Sequence, residues 1–286
     1  MSQARIVYLN GEFLPYADAK VPVMDRGFLF ADGIYEVSAV LSGRLVDNAA
    51  HLARLDRSLG EIGIHNPHSG AEWAALQADL VARNGLNEGL VYMQVTRGVF
   101  ERDFAFPPAD TSPTVMMFTQ AKTIVANPLA ETGAAVVTVP DLRWKRRDIK
   151  SVALLAQVIA KQHAAAAGVA EAWMVEDGAV TEGSSSTAFI VTGDRIVTRP
   201  LSHALLPGIT RLAVMRLAAE EGLTVEERLF SVEEALAADE AFYTSASAFV
   251  MPVVRIDGAA IGTGSPGPLA RRLRTLYLAM ARETLA

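Results

Sequence analysis

The stretch Ile34-Tyr-Glu-Val-Ser-Ala-Val-Leu-Ser-Gly-Arg-Leu-Val46 reads as a β-rich run, 34–41, turned by Ser42-Gly43 into a short second run, 44–46. A turn this tight joins antiparallel neighbours, whereas parallel strands need a crossover of a dozen or more residues. The same economy recurs upstream, where 5–9 and 12–14 flank Asn10-Gly11, a dipeptide suited to hairpin turns. Downstream, Leu52, Leu55, Leu59 and Ile62 fall at steps of three and four, which predicts a helix over 51–62. A second helix over 73–81 ends at Asn84-Gly85, and 90–95 and 115–118 read as strands. A short connector follows, in which Asn127-Pro128 disfavours helix continuation.

The second half repeats the mixture. Strands are expected at 134–139, 171–175, 187–191, 241–243 and 253–256, and helices at 151–167, 208–222, 232–238 and 269–285. Gly178 and a 182–186 turn separate two of the strands. The expected fold class is α/β in the α+β sense, with mixed sheets rather than a doubly wound one. Two domains are expected, a smaller one at 1–122 and a larger one at 134–286, joined by 123–133.

Composition narrows the function. Hydrophobic residues make up 51% and charged residues 20% of the 286, enough apolar material for a sizeable core. With no cysteine, disulfide scaffolds, thiolate metal sites and thiol nucleophiles are excluded. The 26 basic and 32 acidic residues lack the basic footprint of a nucleic-acid binder. No run is long and apolar enough for a membrane span, and the first residues lack a signal pattern, so a cytoplasmic protein is expected. The five histidines show no ligand spacing, so no metal is expected.

The remaining chemistry rests on a few places. Lys150, in Trp144-Lys-Arg-Arg-Asp-Ile-Lys-Ser151, is either a solvated charge among basic neighbours or an amine that forms a Schiff base with a carbonyl. Ile149, Val152, Leu154 and Leu155 are placed to bury its stem. Glu182 opens Thr181-Glu-Gly-Ser-Ser-Ser-Thr187, either a plain exposed turn or a carboxylate facing a protonated heterocycle. Ser184–Ser186 is the place for a hydrolase nucleophile, without an identifiable base. Gly208-Ile-Thr-Arg211 opens a helix whose first N–H groups suit a phosphate. Arg54 lies opposite the leucine stripe, on a face expected to be solvated or phosphate-binding. Arg26, Asp32 and Glu36 are charges within apolar sequence and are expected to pair with one another, beside Tyr35.

Taken together, DRGFLFADGIYEV, HLARLDRSL, VYMQVTRGV, RWKRRDIKS, VTEGSSSTAF, LLPGITR and YTSAS resemble, in order and over essentially the whole chain, the class IV (fold-type IV) pyridoxal-phosphate aminotransferases. The nearest likeness is to their D-amino acid (D-alanine) branch. The resemblance implies two α/β domains with pyridoxal 5'-phosphate between them, most of its site in the larger one. It also implies a homodimer whose second subunit completes the substrate pocket. Lys150 takes the place of the Schiff-base lysine, Glu182 that of the carboxylate at the pyridine nitrogen, and Arg54 that of the phosphate arginine. Ile209 and Thr210 match the phosphate-holding pair, Leu206 the leucine on the cofactor ring, and Ser185 and Ala246 further cofactor positions. Ala246 stands where relatives often carry a threonine, so a hydroxyl is missing.

On the substrate side, Tyr35 and Arg102 match two members of a carboxylate trap, with Ser247 nearby. Phe104 replaces the histidine that completes the trap, which removes a donor and makes the pocket more apolar. The resemblance implies transfer of an amino group from a D-amino acid to a 2-keto acid. Alternatives are an (R)-selective amine transaminase of the same fold, a branched-chain L-aminotransferase and an aminodeoxychorismate lyase.

Overall fold

The computed structural model describes residues 5–283, and they form two compact units. The first contains the chain up to Thr123 together with Ile149–Ala153. The second contains Ile124–Asp148 and Leu154–Glu283.

The first unit comprises β1 (Ile6–Leu9), β2 (Glu12–Pro15), α1 (Arg26–Phe30), β3 (Gly33–Leu41), β4 (Arg44–Leu45), α2 (Asn48–Glu61), α3 (Gly70–Arg83), β5 (Glu88–Thr96) and β6 (Thr114–Ala121). Its six strands form one sheet in the order β2-β1-β6-β5-β3-β4. Every neighbouring pair is antiparallel, as the short turns require for β1–β2 and β3–β4. The leucine stripe of α2 does bury: Leu52, Leu55 and Leu59 pack with Trp73 and Leu80 of α3 and with Val91, Met93 and Met117 of the sheet. α3 begins at a capping box in which Ser69 and Glu72 satisfy each other's N–H groups.

The second unit comprises α4 (Pro128–Thr132), β7 (Ala134–Pro140), α5 (Leu155–Ala166), β8 (Glu171–Glu176), β9 (Ala179–Gly183), β10 (Thr187–Thr192), β11 (Arg195–Thr198), α6 (Ile209–Glu220), β12 (Thr224–Glu227), α7 (Val232–Ala237), β13 (Glu240–Ser245), β14 (Phe249–Ile256), β15 (Ala259–Ala260) and α8 (Pro268–Glu283). A nine-stranded sheet runs β12-β11-β10-β13-β14-β7-β8-β9, with β15 on β14. It is mixed: β7–β8, β11–β12 and β14–β7 are parallel, and the other pairs antiparallel. Two of the parallel pairs are bridged by helices, α5 and α6. Its core gathers Trp173, Val180, Ile190, Met251 and Ile256, while Ala160 and Ala164 of α5 pack on Ala172 and Met174.

Several local expectations are corrected. The connector also contains a short helix that the reading of the sequence does not include: Asn127 caps Leu129 N–H and Pro128 occupies the first turn, where its missing N–H costs nothing. The helix expected at 151–167 begins at Leu155, because the residues before it bond to β3 instead. β9, β11 and β12 are strands that no expectation from the sequence covers. Glu182 therefore lies in a strand, not in a turn. The last residues of the helix expected to 285 lie outside the described residues.

Candidate active site

Lys150 is set on the first unit by its own backbone. The Tyr35 N–H donates to the Lys150 carbonyl at 3.0 Å, and the Val152 N–H donates to the Gly33 carbonyl at 3.0 Å. The Lys150 N–H faces Ser58 Oγ at 3.4 Å, and Ile149 packs into the leucine core. Lys150 is thus fixed at its Cα while its side chain stays partly open, with Nζ 4.1 Å from the centroid of the Tyr35 ring. Tyr35 stacks on Tyr92 at 5.6 Å, and Tyr92 donates to Gln94 at 2.8 Å. Burial, with Tyr35 alongside, pushes the Tyr92 hydroxyl well above the ordinary tyrosine pKa. Leu155, expected to be buried with the lysine stem, is exposed.

Strand alternation turns Ile34 and Glu36 into the core, where both are fully buried. A carboxylate there needs partners. α2 supplies them from one face. Arg54 donates Nε to Glu36 Oε1 at 2.7 Å and Nη2 to Oε2 at 2.9 Å, and His51 Nδ1 lies 2.8 Å from Oε2. Burial works against the charge on Glu36, yet Arg54 and then His51 outweigh it and hold its pKa far below the carboxylate range. Burial also depresses His51, so the imidazole is neutral and donates from Nδ1. The solvated face expected for Arg54 is corrected, because the buried Glu36 draws it inward. The expected trio also splits: Arg26 pairs with Asp32, and Glu36 with α2.

The second unit holds another set. Glu182, buried in β9, accepts from Arg143 Nη1 and from the Leu206 N–H at 3.1 and 3.3 Å. Arg143 also grips Asp141, with Nε to Oδ1 at 2.9 Å and Nη2 to Oδ2 at 2.7 Å. Burial pushes the Glu182 carboxyl up, with Arg143 opposing. Arg143 itself stays charged, since Glu182 and Asp141 outweigh its own burial. At the start of α6, Gly208 is the N-cap and has no side chain to offer, so the N–H groups of Ile209 and Thr210 have no side-chain acceptor. The hydroxyl of Thr244, in the strand leading to Ala246 and Ser247, is buried with no hydrogen-bond partner.

The serine turn serves a purpose other than a hydrolase's. Ser184, Ser185 and Ser186 all point their hydroxyls at the buried Glu171, the latter two at 3.0 and 3.1 Å. They act as donors to a structural carboxylate. A Cβ at Gly183 would lie 2.1 Å from Ser186 Oγ and would displace that hydroxyl from its place on Glu171.

Arg102 and Phe104 sit together on the exposed segment after β5. The Arg102 guanidinium lies 5.2 Å from the Phe30 ring and 5.4 Å from the Phe104 ring, and the two rings are 5.5 Å apart. Phe104 is 80% exposed, so in the single chain it lines no apolar pocket and instead flanks Arg102.

The structure therefore gathers Lys150, Tyr35 and the Arg54 pair on one unit, and Glu182, Leu206, Ile209, Thr210, Ala246 and Ser247 on the other. Sequence reasoning missed Arg143, Asp141, Glu171, His51 and Tyr92. The signal available for Arg143 was its place next to the Lys150 stretch and two residues from Asp141. Among the described residues no cluster could hold a metal, and no helix is long and apolar enough to cross a membrane.

A family model for amino-transferase class IV matches residues 33–256. A D-alanine aminotransferase from Staphylococcus aureus (strain MSSA476) is 39% identical over 268 residues, 94% of this chain and 95% of that protein. One from Bacillus licheniformis is 40% identical over 271 residues, 94% of each. Among solved structures, a T.th. branched-chain amino acid aminotransferase complexed with N-(5'-phosphopyridoxyl)-L-glutamate superposes with a TM-score of 0.89 at 26% identity, covering 99% of this chain and 96% of that one. The same enzyme with pyridoxamine 5'-phosphate also scores 0.89 at 26% identity, covering 98% of this chain and 95% of that one.

Proposed function

The chain belongs to the class IV aminotransferases, and from that premise we propose that it moves an amino group from a D-amino acid such as D-alanine to a 2-keto acid, with Lys150 as its reactive amine. The observation that carries the reading is the seating of Lys150. Its backbone is bonded to β3 while Nζ stays over Tyr35 at 4.1 Å, placed but not neutralised by a carboxylate. The D-amino acid preference is supported by identity: 39% and 40% to relatives named for D-alanine, against 26% to the branched-chain enzymes that share the fold.

The enzyme is pyridoxal-phosphate-dependent, as its family is, and its residues fit that group. The uncapped start of α6 and the orphaned Thr244 hydroxyl suit a phosphate, and the buried Glu182 suits a cationic ring nitrogen. When bound, the cofactor supplies an aldehyde that takes up the amine and a ring that accepts electrons. The chain's own residues do the rest. Lys150 Nζ would take the α-proton from the amino donor and, in the return half-reaction, deliver a proton to the α-carbon derived from the keto acid. Glu182 would hold the proton on the ring nitrogen, with Arg143 opposing the burial that raises the Glu182 pKa. Ile209, Thr210 and Ala246 bind the phosphate through N–H groups and the Thr210 hydroxyl, and Glu36 fixes the orientation of Arg54 for the same task. Leu206 would pack on the ring, and Ser185, a further cofactor-binding position, donates to Glu171. Tyr35, Arg102 and Ser247 receive the substrate carboxylate.

The same proposal includes a homodimer whose second subunit completes the substrate pocket. Exposed Phe28, Phe104 and Phe106 support it, since such rings seldom stay in water on a lone subunit. A cytoplasmic site of action completes it, to be checked by cell fractionation. A second reading, an (R)-selective amine transaminase, is favoured by one observation: Phe104 supplies no donor for a carboxylate.

A half-reaction screen separates the two. The cofactor chromophore is followed with D-alanine, L-leucine and (R)-1-phenylethylamine. Fast bleaching by D-alanine is expected. Bleaching by L-leucine alone, or by the amine alone, overturns the proposal.

A further inference from the structure

The segment 101–106 carries Arg102 and Phe104, has no regular secondary structure, and every residue in it is exposed. Left to itself, such a segment samples many conformations. Two arginines hold it. Arg26 donates from Nη1 to the carbonyls of Asp103 at 2.7 Å and Ala105 at 3.3 Å. Arg97 lies 3.7 Å from the centroid of the Phe106 ring. Both guanidiniums are buried, and both aim Nε at one oxygen, Asp32 Oδ2, at 2.9 and 2.8 Å. Arg97 is further tied to the end of α2 through the carbonyls of Gly63 at 3.0 Å and Ile62 at 2.7 Å. The Arg26 guanidinium also lies 4.7 Å from the Phe30 ring, whose centroid is 5.2 Å from the Arg102 guanidinium.

We infer that Asp32 is a positioning residue for substrate specificity: by joining Arg26 and Arg97 it staples the 101–106 segment so that Arg102 is presented in one orientation. The inference rests on the reading that Arg102 receives the substrate carboxylate. Two cations aimed at one point repel unless a carboxylate lies between them, and Asp32 is that carboxylate. Phe30 then carries the order outward, since one face of contacts is set by Arg26 and another by Arg102 and Phe104.

The test uses the cofactor-loaded enzyme and four variants: Asp32→Asn, Phe106→Ala, Phe106→Trp and Arg102→Leu. Asp32→Asn leaves two buried cations without their carboxylate and risks misfolding. Phe106 is exposed, so Phe106→Ala tests the same staple without that risk. Hydrogen exchange by mass spectrometry should quicken in peptides spanning 98–108 and nowhere else in the first unit. KM for D-alanine should rise about tenfold in Asp32→Asn, the effect of one lost charge-assisted hydrogen bond, and about threefold in Phe106→Ala. kcat should stay within about twofold in both, and Phe106→Trp should restore parental values. In an Arg102→Leu background, Asp32→Asn should add nothing further to KM. Parental exchange and KM in both Asp32→Asn and Phe106→Ala would overturn the inference, as would an undiminished Asp32→Asn effect without Arg102. If Arg102→Leu alone leaves KM unchanged while exchange quickens in the other variants, the reading of Arg102 fails. The specificity role of Asp32 then falls with it, although the staple stands.

Discussion

Replacing Arg143 with methionine removes the cation that lies against two buried carboxylates. The Arg143 and Glu182 side chains are 5% exposed and that of Asp141 is 0% exposed. Asp141 keeps Arg147 at 3.3 Å and the Thr181 hydroxyl at 2.6 Å. Of its described partners, Glu182 keeps the Leu206 N–H at 3.1 and 3.3 Å, so the loss falls mainly on Glu182. Removing one partner of a buried pair costs about 3–5 kcal/mol, which is the deficit expected at about pH 8. A proton can replace the lost cation. Burial already raises the Glu182 pKa above its ordinary 4.5, and the variant raises it further. A carboxyl whose folded pKa is raised binds more protons folded than unfolded, so acid favours the fold and alkali opposes it. The deficit should therefore be smaller at about pH 5.5 than at about pH 8. The assay is urea unfolding followed by circular dichroism at the two pH values. A deficit below about 1 kcal/mol at the higher pH, or one that does not change with pH, would refute the reasoning.

Three further outcomes are expected. Glu36 and His51 both have folded pKa values below their ordinary ones, so the unfolded chain takes up protons first and stability falls as pH drops below about 6.5; His51→Gln should flatten the limb between about pH 7 and 5, read by urea titration. Gly27→Ala places a Cβ 2.2 Å from Thr96 Cγ2, so overpacking should lower unfolding free energy by about 1–3 kcal/mol, and unchanged stability would show that α1 shifts freely. Phe104→His restores a donor beside Arg102 and should raise kcat/KM for D-alanine about tenfold, whereas no change would mean that Phe104 does not face substrate.

Much of the fold was legible because its signals are local. The Ser42-Gly43 and Asn10-Gly11 turns fixed antiparallel pairing, and the leucines of α2 face the core as their spacing requires. What was not legible depended on distant partners. The backbone at 150–153 leaves helix because β3 offers it hydrogen bonds, and β11 and β12 are four residues each, too short to show a pattern. Arg54 read as solvated or phosphate-binding, and nothing in α2 announces that Glu36, eighteen residues earlier, is buried beneath it. Lys150, Glu182 and the α6 start were visible as residues. The network around them was not: Arg143 holds Glu182, and Glu171 gathers three serine hydroxyls, only through tertiary contact.

The most direct test of the account is the location of the covalent cofactor. The yellow, cofactor-loaded protein is reduced with borohydride, digested and mapped by mass spectrometry. The cofactor-derived mass should fall on the peptide carrying Lys150, and a Lys150→Ala variant should be colourless and inactive. A label on any other lysine, or a Lys150→Ala variant with full transaminase activity, would contradict the central claim.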